Sequence, residues 1–322
     1  MPIARITGWM ATLALMGAGC AAFAQDFPTR PITLVAPFPA GSVTDSVSRS
    51  LAQAMQEILG QPVVVDNRAG AQGTIGAAYV ANSKPDGYTL LVGSSVMFVA
   101  KSLFKTLPYE PVEGFQPVAG IGSTSMMFMV KDSSAFKSIE DMASAAKSGR
   151  EPVTIGYGSP SGQVALALFS NASGGKPVGV SYKGIPQALT DLLGGHVALA
   201  IVDIGSGVTQ MKSGGMRALA ISAQARSTAA PDVPTLAESL RGADISLETI
   251  IAVLAPAKTP PAVVDRLEKA VRASLTKAEM RARLAGVSTT VLPLSASELT
   301  QRLKTDNPRW EGLIKAAGIE PQ

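Results

Sequence analysis

Glycine- and serine-rich loops follow several short apolar segments, and their residue types suit the binding of an anion. The loops cover residues 39–45, 70–74, 93–95 and 158–162. Glycine lets the backbone approach a ligand closely, and free N–H groups at the start of a helix attract negative charge. Serine and threonine hydroxyls add hydrogen-bond donors without fixed charge. Any one loop also fits an ordinary turn that caps a helix, so it is their recurrence that indicates a carboxylate site.

Two charged side chains accompany such loops. Asp203 ends an apolar segment, where its carboxylate either faces a ligand cleft or caps the helix that starts near Gly205. Lys183 stands in a Tyr-Lys-Gly turn, where it either pairs with an anion or stays in solvent. The sequence leaves both pairs of alternatives open.

The sequence has no pattern typical of catalysis or metal binding. His196 is the only histidine, and its Gly-Gly-His-Val context is typical of a surface turn. Pro160 stands where the nucleophile elbow of a hydrolase, G-x-S-x-G, has its serine. One histidine and one cysteine are too few for a zinc site, and neither a dinucleotide fingerprint nor a G-K-[ST] phosphate loop occurs. We therefore predict no enzyme, metal or cofactor; a hydrolase of small acids, the alternative, would need an acid–base pair.

The segments around these loops predict an α/β architecture, because strand patterns alternate with helical ones as in parallel sheets covered by helices. Ser138, with Asp141 three residues on, predicts the start of one helix. The predicted strands are 30–37, 63–65, 88–92, 126–130, 153–157, 178–182, 197–202, 217–222 and 250–255. The predicted helices are 43–59, a short one through residue 81, 138–147, 162–172, 186–193, 208–212, 260–275 and 297–317.

The first 24 residues have the features of a secretory signal peptide. Arg5 supplies the positive charge, an apolar stretch follows, and residues 22–24 form an A-x-A cleavage signature. Cleavage after Ala24 would leave a mature chain without cysteine, since Cys20 is the only one. The alternative is that Cys20 is the lipidated first residue of a lipoprotein, although Gly17 replaces the aliphatic residue expected at the start of that motif.

Composition limits the class of protein. With 322 residues, 46% hydrophobic and 16% charged, the chain is long enough for two domains and too apolar to be disordered. The formal net charge is +4, but lysine and arginine are scattered and do not alternate with aromatic residues. We therefore predict no nucleic-acid partner.

A series of short motifs resembles, in content and order, the receptors of tripartite tricarboxylate transporters, often called the Bug family. The resemblance extends over almost the whole mature chain, and the ordered set is more specific than any single motif. The matching segments are 31–41 with 44–45, 60–68, 73–76, 85–91, 182–184, 188–195, 231–235 and 254–256.

The resemblance implies a type II periplasmic-binding-protein fold, in which two α/β lobes close on a central ligand cleft. We expect residues 25–125 plus 250–322 to form lobe 1 and residues 126–249 to form lobe 2. The implied protein is a periplasmic monomer that captures a small di- or tricarboxylate or an aromatic acid. It would deliver this ligand to the membrane permease subunits of a tripartite transporter. An extracytoplasmic sensor with a signalling partner is the alternative function.

The matching positions also give the predicted ligand-binding residues, with one ligand carboxylate held by backbone amides and water rather than by a salt bridge. Val43 departs from the family pattern, which usually has a small residue there after a second glycine at position 42; it would favour an aromatic or alkyl ligand. The loop after Pro160 is also shorter than usual. The predicted residues are Ala40, Gly41, Thr44, Asp45, Gly73, Thr74, Ser94 and Ser95 in lobe 1, and Ser159, Tyr182 and Asp203 in lobe 2. Ser42, which departs from the family pattern, is added to them because it lies in the first glycine- and serine-rich loop.

Overall fold

The computed structural model of the chain describes residues 27–240, 247–316 and 318–321. The predicted signal peptide and Cys20 lie outside the described residues. Within them, no helix combines the length and apolar character that crossing a membrane requires.

The strands in this part of the chain are β1 (Ile32–Ala36), β2 (Val63–Asn67), β3 (Thr89–Ser94), β4 (Phe115–Lys131), β5 (Thr154–Tyr157), β6 (Val178–Ser181), β7 (Leu199–Asp203), β8 (Met216–Ile221), β9 (Glu248–Pro256) and β10 (Thr290–Val291). The α-helices are α1 (Val43–Leu59), α2 (Thr74–Ala81), α3 (Ile139–Ser148), α4 (Pro160–Ser173), α5 (Ile185–Gly194), α6 (Ile204–Ser213), α7 (Leu236–Ser239), α8 (Pro261–Ser274), α9 (Ala278–Gly286) and α10 (Ala296–Ala316). Short 3-10 helices cover Ala71–Gly73 and Ser95–Ser102.

Two sheets share the long strand β4. The first has the order β2-β1-β3-β9-β4, with β1 parallel to β2 and β3 and with β9 antiparallel to both of its neighbours. The second joins β6, β5 and β7 to the far part of β4, which also pairs with β8. Strand β4 passes from the first sheet to the second between two neighbouring residues, because Ser125 pairs with Glu248 of β9 and Met126 pairs with Asp203 of β7. We call the parts built on the first and second sheet lobe 1 and lobe 2.

Local sequence signals set several of the helix ends. The Ser42 hydroxyl accepts a hydrogen bond from the Asp45 N–H at the start of α1, and Gly60 ends that helix with a φ of 69°. Ser138 and Asp141 form the predicted capping box of α3. Helix α4 begins at Pro160, two residues before the predicted start, because Ser159 caps it and proline fits the first turn.

Helix α10 packs against both lobes. Its residue Leu303 lies in the lobe 1 core that contains Leu91, whereas Trp310 lies in the lobe 2 core that contains Phe128. The lobes are therefore joined by this helix as well as by β4 and the chain that enters β9.

The lobes touch directly at two glycines of lobe 2. A Cβ atom added to Gly205 would lie 1.9 Å from the Val287 carbonyl oxygen, and one added to Gly184 would lie 2.5 Å from Cδ of Pro39. Any larger residue at either position would have to push the lobes apart.

Candidate ligand-binding site

A cavity of about 60 Å³ lies between the lobes, beside the strands that connect them. This volume corresponds to about two water molecules, at roughly 30 Å³ for each in the liquid. The structure therefore shows the lobes closed around a small space. The cavity is lined by Phe38, Ser42, Val43, Thr44, Ser94, Thr124, Met126, Gly158, Ser159, Ser161, Ile185, Asp203, Thr249 and Ile251.

Helices α1, α4, α5 and α6 all begin at this cavity. Their first residues or capping residues, among them Ser42, Ser159, Ile185 and Asp203, belong to its lining. A helix carries a partial positive charge of about half an elementary charge at its N-terminus, where its first N–H groups have no partner within the helix. The cavity can therefore receive an anion through backbone groups.

The starts of α4 and α5 lie close together because of one glycine. A Cβ atom on Gly158 would lie 2.2 Å from the carbonyl carbon of Gly184 and 2.4 Å from the backbone nitrogen of Ile185. Only glycine at position 158 allows this approach, which directs both helix starts into the same space.

Asp203 both caps a helix and lines the cavity, so the two roles left open by the sequence coexist. Its Oδ1 accepts a 2.8 Å hydrogen bond from the Ser206 N–H, and its Oδ2 accepts a 3.1 Å bond from the Ser206 hydroxyl. The residue is 7% exposed. Burial raises the pKa of Asp203 above its usual value, and the bonds from Ser206 offset only part of this effect. A negative charge is therefore costly at this wall.

Hydroxyl groups line the floor of the cavity, where β4 and β9 cross between the lobes. Thr124 and Thr249 are paired across these strands, and the Thr249 hydroxyl lies 3.1 Å from the Ser161 hydroxyl of lobe 2. The Thr124 hydroxyl oxygen is buried and has no hydrogen-bond partner among the described residues. It is free to bind a ligand or a water molecule.

Several predicted binding residues line the cavity, namely Ser42, Thr44, Ser94, Ser159 and Asp203. Ala40 and Gly41 line a second cavity of about 390 Å³, which we call the outer cavity. Its other walls include Leu193 of α5 and Ser206 of α6, so both lobes contribute to it. Val43 lines both cavities and stands between them.

Asp45 is not part of the cavity lining and instead holds the first loop in place. Its carboxylate accepts hydrogen bonds from the Gly41 N–H at 3.0 Å and from Nδ2 of Asn67 at 2.9 Å, and it forms an ion pair with Arg49. Burial raises the pKa of this carboxyl, but the hydrogen bonds from Arg49, Gly41 and Asn67 outweigh burial, so the pKa of Asp45 lies below its usual value. Asp45 thus positions the loop that starts α1.

The remaining predicted residues lie behind the lining. Thr74 donates its hydroxyl to the Ala71 carbonyl, and the Ser95 hydroxyl accepts a bond from the Ile250 N–H. Gly73, with a φ of 94°, packs beside the Phe38 ring. The Tyr182 hydroxyl donates to Oδ2 of Asp191 at 2.6 Å; burial, and then Asp191, raise the pKa of Tyr182 to about 12. None of these four residues lines the cavity.

Sequence reasoning missed the lining residues on the crossing strands, which are Thr124, Met126, Thr249 and Ile251. Thr124 and Met126 are two residues apart on β4, as Thr249 and Ile251 are on β9. Side chains at this spacing lie on the same face of a strand, and this is the signal that could have identified them. His196 and Lys183 are exposed and line neither cavity. No cluster of histidine, cysteine, aspartate and glutamate that could hold a metal ion occurs within the described ranges.

Several known proteins resemble this chain over nearly its full length. It is 35% identical over 314 residues to protein BugT of Bordetella pertussis, covering 96% of this chain and 95% of that protein. The structure of the periplasmic binding protein BugD superposes with a TM-score of 0.85 at 32% identity, covering 92% of this chain and all of that chain. MatC from Rhodopseudomonas palustris, with bound malate, gives 0.84 at 30% identity, covering 89% of this chain and 100% of MatC. The R. palustris protein Rpa4515, with adipate, gives 0.86 at 30% identity, covering 92% of this chain and 100% of that chain.

These similarities confirm the predicted fold, two α/β lobes around a central cleft as in periplasmic binding proteins. Residues 47–319 also match the model of the family described as "Tripartite tricarboxylate transporter family receptor". The chain therefore belongs to the tripartite tricarboxylate transporter receptor family of solute-binding proteins.

Proposed function

We propose that the protein is a periplasmic receptor that captures a small carboxylate between its lobes and delivers it to the membrane permease subunits of a tripartite transporter. The observation that carries the proposal is the meeting of the N-termini of α1, α4, α5 and α6 at a cavity lined by both lobes. The malate and adipate held by two related structures support the carboxylate class. The periplasmic location is supported by the predicted signal peptide.

Binding would act by stabilising the closed form. A ligand shifts a conformational equilibrium only if it binds one form better, and a ligand in this cavity touches both lobes only when they are closed. The lobes would move as residues 25–125 plus 250–322 and residues 126–249, bending where β4 passes from Ser125 to Met126. The last turns of α10 would be the exception to these bounds and would move with lobe 2, because Trp310 packs in the lobe 2 core.

The first test is a melting-temperature panel. The mature chain from Gln25 is unfolded and refolded to remove any ligand, then heated with aliphatic and aromatic mono-, di- and tricarboxylates. An acid at about a hundred times its dissociation constant should stabilise the protein by roughly 2.7 kcal/mol and raise the melting temperature by several degrees. No shift with any acid would contradict the proposal.

Ser159 allows a matched test of the anion site. Aspartate and asparagine both cap helices well, so Ser159→Asp and Ser159→Asn should both fold. The two side chains are similar in size, but only aspartate adds a negative charge at the start of α4. The ligand-induced shift should fall much further in the aspartate variant, and equal shifts in the two variants would argue against an anion at this wall.

Delivery needs its own experiment once the acid is known. Deletion of the gene should abolish uptake of that acid by the cells, and the Ser159→Asp variant should fail to restore it. Uptake that continues without the protein would favour the sensor function instead.

A further inference from the structure

The walls of the ligand cavity are mainly apolar. Each of the apolar lining side chains is less than a tenth exposed, and they come from both lobes. They are Phe38, Val43, Met126, Ile185 and Ile251. Apolar walls of this kind favour a ligand whose body is hydrocarbon, because burying apolar surface is what stabilises the complex.

In the part of the chain that the structure describes, the lining of the cavity contains an acidic side chain but no basic one. Asp203 carries the only ionisable side chain among the described residues that line it, and no lysine, arginine or histidine is among them. The cation Arg49 of α1 is not a lining residue, and it pairs with Asp45 and Asn67. A ligand anion in this cavity therefore finds helix N-termini and hydroxyls but no cationic side chain.

These lining groups can stabilise one negative charge on a ligand far better than two. One carboxylate can accept hydrogen bonds from the N–H groups at the helix starts. A second carboxylate in so small a space would meet an apolar wall, Asp203 or neutral hydroxyl groups, and none of these supplies a positive charge. Burial without a partner and the approach of like charges both disfavour the ionised form. Burial raises the pKa of Asp203, which shows that this wall disfavours a negative charge.

We infer that the site selects an acid with a single carboxylate and an apolar body over the dicarboxylate of the same carbon skeleton. The inference rests on the proposed function, because it concerns the same cavity. In such a complex the helix starts bind the carboxylate, the apolar side chains enclose the body, and the Thr124 hydroxyl is available to one further polar atom of the ligand or to water.

Matched acid pairs test this selectivity. The pairs are butyrate against succinate, hexanoate against adipate and 4-methylbenzoate against terephthalate, and in each pair a second carboxylate replaces one methyl group of the same carbon skeleton. Dissociation constants are measured by isothermal titration calorimetry on the refolded mature chain at pH 7.5, where all carboxyl groups in solution are ionised. In each pair that binds, the monocarboxylate should bind at least about tenfold more tightly, which corresponds to 1.4 kcal/mol.

The outcomes separate this inference from the proposed function. A dicarboxylate that binds as tightly as its monocarboxylate partner, or more tightly, overturns the inference and leaves carboxylate capture intact. No binding by any member of any pair overturns carboxylate capture, and the inference with it.

A variant identifies the cause of the selectivity. Asp203→Asn removes the negative wall and keeps a good helix cap, so the protein should fold. The affinity for the dicarboxylate should rise more than that for the monocarboxylate, so that the ratio of their dissociation constants narrows severalfold. An unchanged ratio would overturn the account based on charge. Val43→Ser supplies a second readout, because loss of the apolar wall should weaken monocarboxylate binding.

Discussion

Gln72 of lobe 1 and Gln163 of lobe 2 are joined across the cleft by a 3.1 Å hydrogen bond from Nε2 to Oε1. Both side chains are buried. Gln72 has a φ of 53°, a left-handed conformation that glycine adopts more readily than glutamine, and its Oε1 is buried without a partner among the described residues. The bond therefore links the closed lobes at a local conformational cost.

This bond should stabilise the closed form even without ligand. A buried hydrogen bond contributes about 0.5–1.5 kcal/mol, so Gln163→Ala should weaken ligand binding by roughly two- to tenfold and speed ligand dissociation. Stopped-flow dissociation, together with the radius of gyration of the ligand-free protein, measures both effects. Gln56→Ala, at an exposed position on α1, is the control. Equal dissociation rates in the two variants would show that the bond does not affect closure.

Gly205→Ala should hold the lobes apart. Alanine suits the start of α6, but its Cβ would collide with the Val287 carbonyl oxygen of the other lobe. Overpacking costs about 1–3 kcal/mol, which predicts a loss of affinity of roughly five- to a hundredfold by calorimetry. Gly286→Ala is a close control, because a Cβ there meets nothing within 4 Å. A lower melting temperature of the ligand-free protein with unchanged affinity would place the damage inside lobe 2 instead.

Asp45 should make the fold sensitive to acid. Its pKa is lower in the folded chain than the 3.8 of an unperturbed aspartate. The carboxylate therefore contributes stability above about pH 4, and this contribution is lost as the pH falls through the folded pKa. Urea unfolding from pH 3 to pH 7 should show that wild type exceeds Asp45→Asn in stability at neutral pH and that the gap shrinks in acid. A gap independent of pH would contradict this role of the Asp45 carboxylate.

Asp203 should have the opposite effect. Its pKa is higher in the folded chain than 3.8, so the folded state holds the proton more tightly and stability is lost as the pH rises from about 3.8 through the folded pKa. Relative to Asp203→Asn, wild type should therefore lose stability as the pH rises. The same urea series measures this difference, and a trend in the same direction as that of Asp45 would show that burial does not dominate at Asp203.

The segments in which strands alternate with helices could be predicted in both lobes, because the sequence features that mark each strand and helix are local. Periodicity, caps and Gly60 place α1, and β1 to β3 are parallel as expected. The first half of β4 was missed because it contains Pro117, Gly120 and Gly122, which normally interrupt strands. Here the register shifts between residues 117 and 119 and between 120 and 122, so β4 accommodates them as irregularities.

The candidate site divides in the same way. Ser42 and Ser159 could be predicted because each is a helix-capping residue in a loop that follows a strand, and both signals are local in sequence. Thr124 and Thr249 could not, because they meet only through the pairing of β4 with β9, far apart in sequence. Tyr182 shows the converse: its hydroxyl bonds to Asp191, nine residues further on, and this local contact directs it away from the cavity.

The outer cavity offers a way to make the protein report its own ligand. It is lined by both lobes, and Leu193 on its wall is 46% exposed. Because Cys20 is the only cysteine and precedes the predicted cleavage site, Leu193→Cys would give the mature chain a single thiol. A fluorophore attached there would pass between water and protein as the lobes open and close. Its emission would then turn the receptor into an optical sensor for whichever acid it binds.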